Sequence, residues 1–255
     1  MSNILSIAKR EIKAYFTSPI AYVVISVFLV LTGFFFSSAI SWFSAQSIQL
    51  AQNPQYYQQI NINQMVFTPL FHNMSIILLL MLPLLTMRLF AEEKKVGTEE
   101  LLFTSPISVG QIILGKYLAA LAVLAIMLAL TFLPAVFTFL WGNPELAQLL
   151  NGYLGLFLMG AAFIAAGIFF SSLTENQIVS AMLTFGALLL FWILNWASYS
   201  ATGMWKGVLN YLSIFQHFDD MTRGILDTKD VAYYLSFAFV GIFLTHSVIQ
   251  SRRWR

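Results

Sequence analysis

Six stretches of this chain contain no Asp, Glu, Lys or Arg at all: Ile20–Trp42, Met65–Met87, Tyr117–Trp141, Tyr153–Leu173, Ile178–Ala197 and Val231–Ile249. At ~1.5 Å rise per residue, roughly 20 helical residues cross a hydrocarbon core of about 30 Å, so each stretch is long enough to span a bilayer. The first is too long for a signal-peptide core, which runs roughly 7–15 residues. Charged residues make up 9% and hydrophobic residues 59%, with a mean hydropathy of +0.78, whereas a soluble domain carries roughly 25% charge. The expected fold is therefore an all-α polytopic membrane protein of six transmembrane helices, with residues 1–255 forming one transmembrane domain. Pro83 interrupts the second span, which a membrane helix tolerates when its neighbours satisfy the freed carbonyl.

The positive residues give the orientation. Ten of the 13 Lys and Arg lie before span one (Lys9, Arg10, Lys13), between spans two and three (Arg88, Lys94, Lys95, Lys116) or after span six (Arg252, Arg253, Arg255). Positive loops stay in the cytoplasm, so both termini and the 88–116 loop are expected there, in a bacterial cytoplasmic (inner) membrane. The net charge of +2 is too small to suggest nucleic acid. There is no Cys, hence no disulfide, thiolate metal site or Cys nucleophile.

Ahead of span one, Ile4, Leu5, Ala8, Ile12, Tyr15 and Phe16 recur at helical spacing, with Lys9, Arg10 and Lys13 on the other side. This predicts an amphipathic helix over residues 1–18, lying in the cytoplasmic interface with those three bases anchored at anionic lipid headgroups. It ends at the turn Thr17–Ile20, where Pro19 redirects the chain. The same tetrapeptide recurs at Thr104–Ile107.

Little in the sequence supports chemistry within the chain. Gly110–Lys116 matches the first seven positions of a phosphate-binding loop, but Tyr117 stands where a Ser or Thr should hold magnesium, and no strand precedes it. The plainer reading gives Gly115 to close packing and Lys116 to snorkelling at the membrane surface. His72, His217 and His246 read as interfacial polar residues. No catalytic, cofactor or metal residue is nominated. Carriers coupled to protons or ions place acids at mid-membrane, and no span holds one. In span four the small residues of Gly160–Gly167 allow close helix contact, within the chain or between subunits. Between spans five and six, Asp219, Asp220, Arg223 and Asp227 form a ladder on one helix face, with Arg223 four residues from both Asp219 and Asp227. It is either a solvated connecting helix or an outer gate or partner-docking element.

The segment Arg88–Ser108 is the densest in charge: seven of the chain's 24 charges fall within 13 residues. A helix over 89–103 would turn Leu89, Val96, Leu101 and Phe103 toward the membrane or bundle, and Glu92, Glu93, Lys95, Glu99 and Glu100 toward the cytoplasm. Gly97 weakens its middle by roughly 1 kcal/mol relative to Ala and marks a bend, with Thr98 able to cap a second short helix.

The N-terminal helix with "KRE", the loop "EEKKVGTEELLFTSPIS", the "GKY" opening span three and "RGILDTKD" before span six together resemble the permease subunits of ABC-2 type transporters. They look closest to the gliding-motility-associated branch, with the nitrous-oxide reductase maturation permease as a cousin. The resemblance implies two permease chains, identical or different, above two copies of a cytoplasmic ATPase that binds ATP and Mg. It makes the 89–103 segment the coupling helix (Glu92, Glu93, Lys95, Gly97, Thr98, Glu99, Glu100), adds Glu175 as a second ATPase contact, and makes 200–230 short outer helices that gate the path. The alternatives are a non-transporting membrane scaffold and a secondary carrier.

Overall fold

The computed structural model describes residues 2–51, 61–98, 107–141, 144–200 and 202–253, and every regular element among them is helical. They are α1 (Ser2–Thr17), α2 (Pro19–Ala51), α3 (Thr68–Thr86), α4 (Arg88–Val96), α5 (Val109–Trp141), α6 (Leu146–Leu173), α7 (Gln177–Ser200), α8 (Met204–Leu212), α9 (Ile214–Thr222) and α10 (Thr228–Arg253). A π-helical turn, Asn63–Phe67, leads into α3. Six helices are long and apolar enough to cross a membrane, one for each span expected from the sequence.

The boundaries differ from those of the spans where polarity ends a span but not a helix. The α2 helix runs nine residues past Trp42, and Ser37, Ser41 and Ser47 each donate to a carbonyl of their own helix one turn back. Such back-bonding satisfies a polar side chain without interrupting the helix. The α6 helix starts at Leu146, ahead of the expected Tyr153, and α10 starts at Thr228, ahead of Val231. The turn at Thr17–Ile20 is as expected: α1 stops at Thr17, Ser18 bends, and Pro19 opens α2, where its missing N–H costs nothing. Most of the second TSPI lies outside the described residues.

The centre of the bundle is α6, whose apolar window is 72% buried against 22% for α2 and for α7. Its small residues make this possible. A Cβ on Gly152 would stand 2.1 Å from the Phe71 ring, on Gly160 2.5 Å from Leu124, and on Gly167 2.0 Å from the Thr86 hydroxyl. On the facing helix, a Cβ on Gly241 of α10 would stand 3.0 Å from the Ala165 backbone. The small-residue signal in span four is thus used within the chain, each gap admitting one neighbouring side chain or backbone.

Candidate functional site

Polar side chains concentrate at the two ends of the bundle. At the α1 end, Met87 is a one-residue break that turns α3 into α4. The last turn of α6 grips this elbow. The Ser171 hydroxyl donates to Met87 O (2.9 Å) and accepts from the N–H groups of Phe90 (3.0 Å) and Ala91 (3.1 Å), donors that the first turn of a helix leaves without intrahelical partners. The buried Lys94 ammonium donates to Ser172 O. Gly97 ends the helix at φ 75°, its N–H reaching Lys94 O (3.1 Å) while that of Thr98 reaches Glu93 O (3.0 Å), the pairing of a Schellman cap. The inner face of α4 is therefore fixed. Its outer face carries Glu92, Lys95 and Val96, all exposed.

Beneath the elbow, four charges from three helices meet. Lys116 of α5, 1% exposed, lies 2.7 Å from Glu93 Oε1 and 3.3 Å from Glu11 Oε1, with its ammonium 5.2 Å from the centre of the Phe90 ring. Arg10 lies 2.8 Å from Glu11 Oε1 and 3.7 Å from Glu93 Oε1. Burial pushes the Glu11 carboxyl up, but Lys116 and Arg10 outweigh it and hold it below its ordinary value. α1 reaches α5 so closely because position 115 is glycine: a Cβ there would stand 2.6 Å from Ile7 Cγ2. Buried Tyr15 completes the contact, donating to Leu85 O (3.0 Å) under the Arg88 guanidinium, 4.6 Å from its ring centre. Burial raises its hydroxyl well above the usual range, so it remains a neutral donor.

Several sequence expectations change here. Glu93 does not face the cytoplasm side by side with Glu92; it is an internal partner of Lys116, because one residue step along α4 rotates it by roughly 100° toward α5. Lys116 does not snorkel, since two carboxylates close at hand satisfy it in place. Arg10 belongs to this cluster, while Lys9 and Lys13 remain exposed. Val96 does not pack into the bundle, being exposed by 68%, because the helix ends at Gly97 and places no further turn behind it. Glu99, Glu100 and the second short helix lie outside the described residues. The sequence reading also missed Glu11, although a signal was available: it falls four residues from both Ile7 and Tyr15, on the apolar stripe of α1.

Two hollows flank the exposed face of α4. One, of about 890 Å³, is bounded by Arg10, Arg88, Glu92, Thr98 and Gln177. The other, of about 500 Å³, brings Lys95 to the α6–α7 loop with Glu175, Asn176 and Gln177. The structure thus gathers Glu92, Lys95, Gly97, Thr98 and Glu175 around one ledge. Gly110–Lys116 is helical from end to end within α5, so it forms no phosphate-binding loop.

At the opposite end, α9 lies across the bundle. Asp219 is 3.1 Å from His72 of α3 and 2.7 Å from Arg223. Contact with His72 first, and with Arg223 as well, holds its carboxyl below the ordinary range against the opposing effect of burial. The expected ladder stops there. α9 ends at Thr222, Gly224 turns the chain at φ 86°, and Asp227 pairs with Lys229 (3.1 Å) in place of Arg223. Asp220 stands 3.9 Å from the same Lys229. His217 is not a solvent-facing interfacial residue: it is buried, 2.6 Å from Asp230, whose side chain is 0% exposed. Asp230 escaped notice because the span was begun at Val231, three residues after α10 starts. Amides tie the surrounding turns together. Asn63 exchanges hydrogen bonds with the Glu145 backbone (3.0 and 3.2 Å), Gln148 donates to Thr222 O (2.8 Å), and Asn151 donates to Gly224 O (2.9 Å).

A family model described as "ABC-2 family transporter protein" matches residues 5–249. No curated protein matches the chain.

Proposed function

Because this chain belongs to the ABC-2 transporter family, we propose that it is the permease subunit of an ATP-driven exporter or translocator whose cytoplasmic ATPase seats on the ledge formed by α4 and the α6–α7 loop. The family generally works with such a partner. The observation that carries the reading is the asymmetry of α4. One face is fixed to α6, α5 and α1 by hydrogen bonds and ion pairs, and the other presents Glu92, Lys95 and Val96 beside Glu175. A helix held in this way transmits a push instead of absorbing it, since its displacement moves three neighbours.

The distribution of Lys and Arg supports placing the α1 end and both termini in the cytoplasm, and α8 and α9 at the outer face of a bacterial inner membrane. ATP and Mg belong to the partner. A transmembrane unit of two permease chains above two ATPase copies suits the broad exposed apolar faces of α2 and α7, and the gliding-motility branch remains our assignment within the family. On the outer face, Asp219, Asp220, Arg223 and Asp227 border the exit side, with the exposed α8 as its neighbour.

Co-purification of the ATPase in mild detergent tests this. Glu92→Lys and Lys95→Glu are the proper probes, since both side chains are exposed and neither holds the fold. Charge reversal at a docking surface is expected to cost ~2 kcal/mol or more, at least a tenfold loss of retained ATPase. Gly97→Pro is expected to disturb coupling as well, because proline cannot take a positive φ or donate the capping hydrogen bonds. Full retention of the ATPase by the two reversed chains would refute the docking site.

A further inference from the structure

The α9 helix is nine residues long, yet it holds half of two His–Asp contacts of opposite polarity. In one it supplies the ring, His217, to Asp230 of α10. In the other it supplies the carboxylate, Asp219, to His72 of α3. It is thus pinned at both sides to different spans, and the two pins sit in different surroundings.

The α10 pin is dry. Its side chains are 5% and 0% exposed, and the Tyr233 ring stacks on His217 at 4.1 Å. His217 Nδ1 faces the Asp230 carboxyl and Nε2 faces Tyr211 O at 3.0 Å. With an acceptor at each ring nitrogen, the pair needs two protons between ring and carboxyl, and then carries no net charge. The α3 pin is wetter: His72 and Asp219 are 28% and 17% exposed. The rings of Phe215 and Phe218, also on α9, lie 5.1 and 6.0 Å from the His72 ring. Among the described residues, Asp219 is the one charged group within ion-pair distance of His72, and Asp219 in turn holds Arg223.

We propose that α9 is a proton-responsive crossbar: the His217–Asp230 pin is permanent, and the His72–Asp219 pin closes when the outer solution is acidic enough to charge His72. Histidine is the side chain whose charge changes between about pH 5 and 8. A charged His72 sets a full positive charge against Asp219 beside two aromatic rings that limit screening. A neutral His72 leaves Arg223 as the counter-charge, so α9 keeps only apolar packing and the long Thr68–Thr222 hydrogen bond (3.5 Å) toward α3, and the Gln148–Thr222 bond (2.8 Å) toward α6. Asp219 stays ionised throughout this range, as its lowered carboxyl requires. The crossbar does not depend on ATPase docking; it takes from the proposed function only the choice of outer face.

The chain has no cysteine, so a single thiol beneath the bar reports its lifting. Met221 is 0% exposed and packs against α6 at Gly155. The full chain is placed in lipid vesicles as Met221→Cys and as Met221→Cys with His72→Gln, and labelled with a membrane-impermeant maleimide between pH 5.5 and 8. The ratio of the two rates at each pH removes the thiol's own pH dependence. The ratio is expected near one at pH 8 and about fivefold lower at pH 5.5, the scale of a partly exposed ion pair. A ratio that is flat, or that rises on acidification, overturns the crossbar. If Met221→Cys does not fold, hydrogen exchange of the α9 amides in native and His72→Gln chains is judged by the same ratio. A thiol at Trp205, exposed by 72% on α8, reports the face. Labelling from the cytoplasmic side alone would overturn the assigned orientation, while the pH ratio still decides the crossbar.

Discussion

The two ends of this bundle solve the same problem, burying polar groups beside a membrane, in different ways. The α1 end pools charge: Lys116 serves two carboxylates, and Arg10 serves the same two. The α9 end works in separate pairs, His with Asp and amide with carbonyl, each joining two elements. A shared cluster makes three helices move together, because removing one member leaves every other member short. Separate pairs fail one at a time, which suits parts that have to shift independently. The end proposed to receive force is the pooled one.

Breaking the centre of the pool is expected to have the largest effect. Lys116→Met leaves Glu11 and Glu93 facing each other without their buried cation, and a loss of ~3–5 kcal/mol is expected, read as a fall in thermal stability in detergent. The same cluster has a pH signature. The Glu11 carboxyl is lowered in the fold, so its stabilisation is present above about pH 4.3, the unfolded value, and is lost as pH falls through the lower folded value. Burial raises the Glu93 carboxyl of the same cluster despite Lys116, which adds stability on acidification down to about pH 4.3. The loss due to Glu11 is therefore expected below about pH 4, with Lys116→Met losing less over that window. An equal acid response in both chains would mean that Glu11 is not stabilised by Lys116.

At the other end, His217→Leu is expected to cost about 3 kcal/mol by leaving Asp230 buried alone, and adding Asp230→Leu should restore most of it, since the damage is an unpaired charge. No such rescue is available to the pool, where Lys116 has two partners. If the double variant is no more stable than the single, the two ends are less different than their geometry states. The smallest effect belongs to Glu145→Gln. Asn63 is tied to this residue through main-chain atoms alone, so stability and ATPase stimulation should both be unchanged.

The spans were legible in the sequence because lipid requires long uncharged helices, and that requirement is local. The site was legible only in part. Glu92 and Lys95 read correctly as exposed, since each follows from position along one helix; Glu175 came only from the resemblance. Glu93, with the same charge as Glu92 and one residue further on, did not read correctly, because its partner is 23 residues away on a helix whose rotation the pattern does not give. Lys116 looked like a surface lysine for the same reason. His217 and Asp230 were obscured by a boundary: a span defined by the absence of charge excludes by construction the acid buried in its first turn.

Glu11 and Lys116 are separated by 105 positions. A ribosome adding roughly 5–20 residues per second delivers the carboxylate some 5–20 s before its ammonium. Through that interval the first helix meets at most Leu85, Arg88 and Glu93 of its site, since both Gly115 and Lys116 arrive with the third span. Chains halted before residue 116 should therefore keep the first helix open to protease, and chains halted after the third span should not.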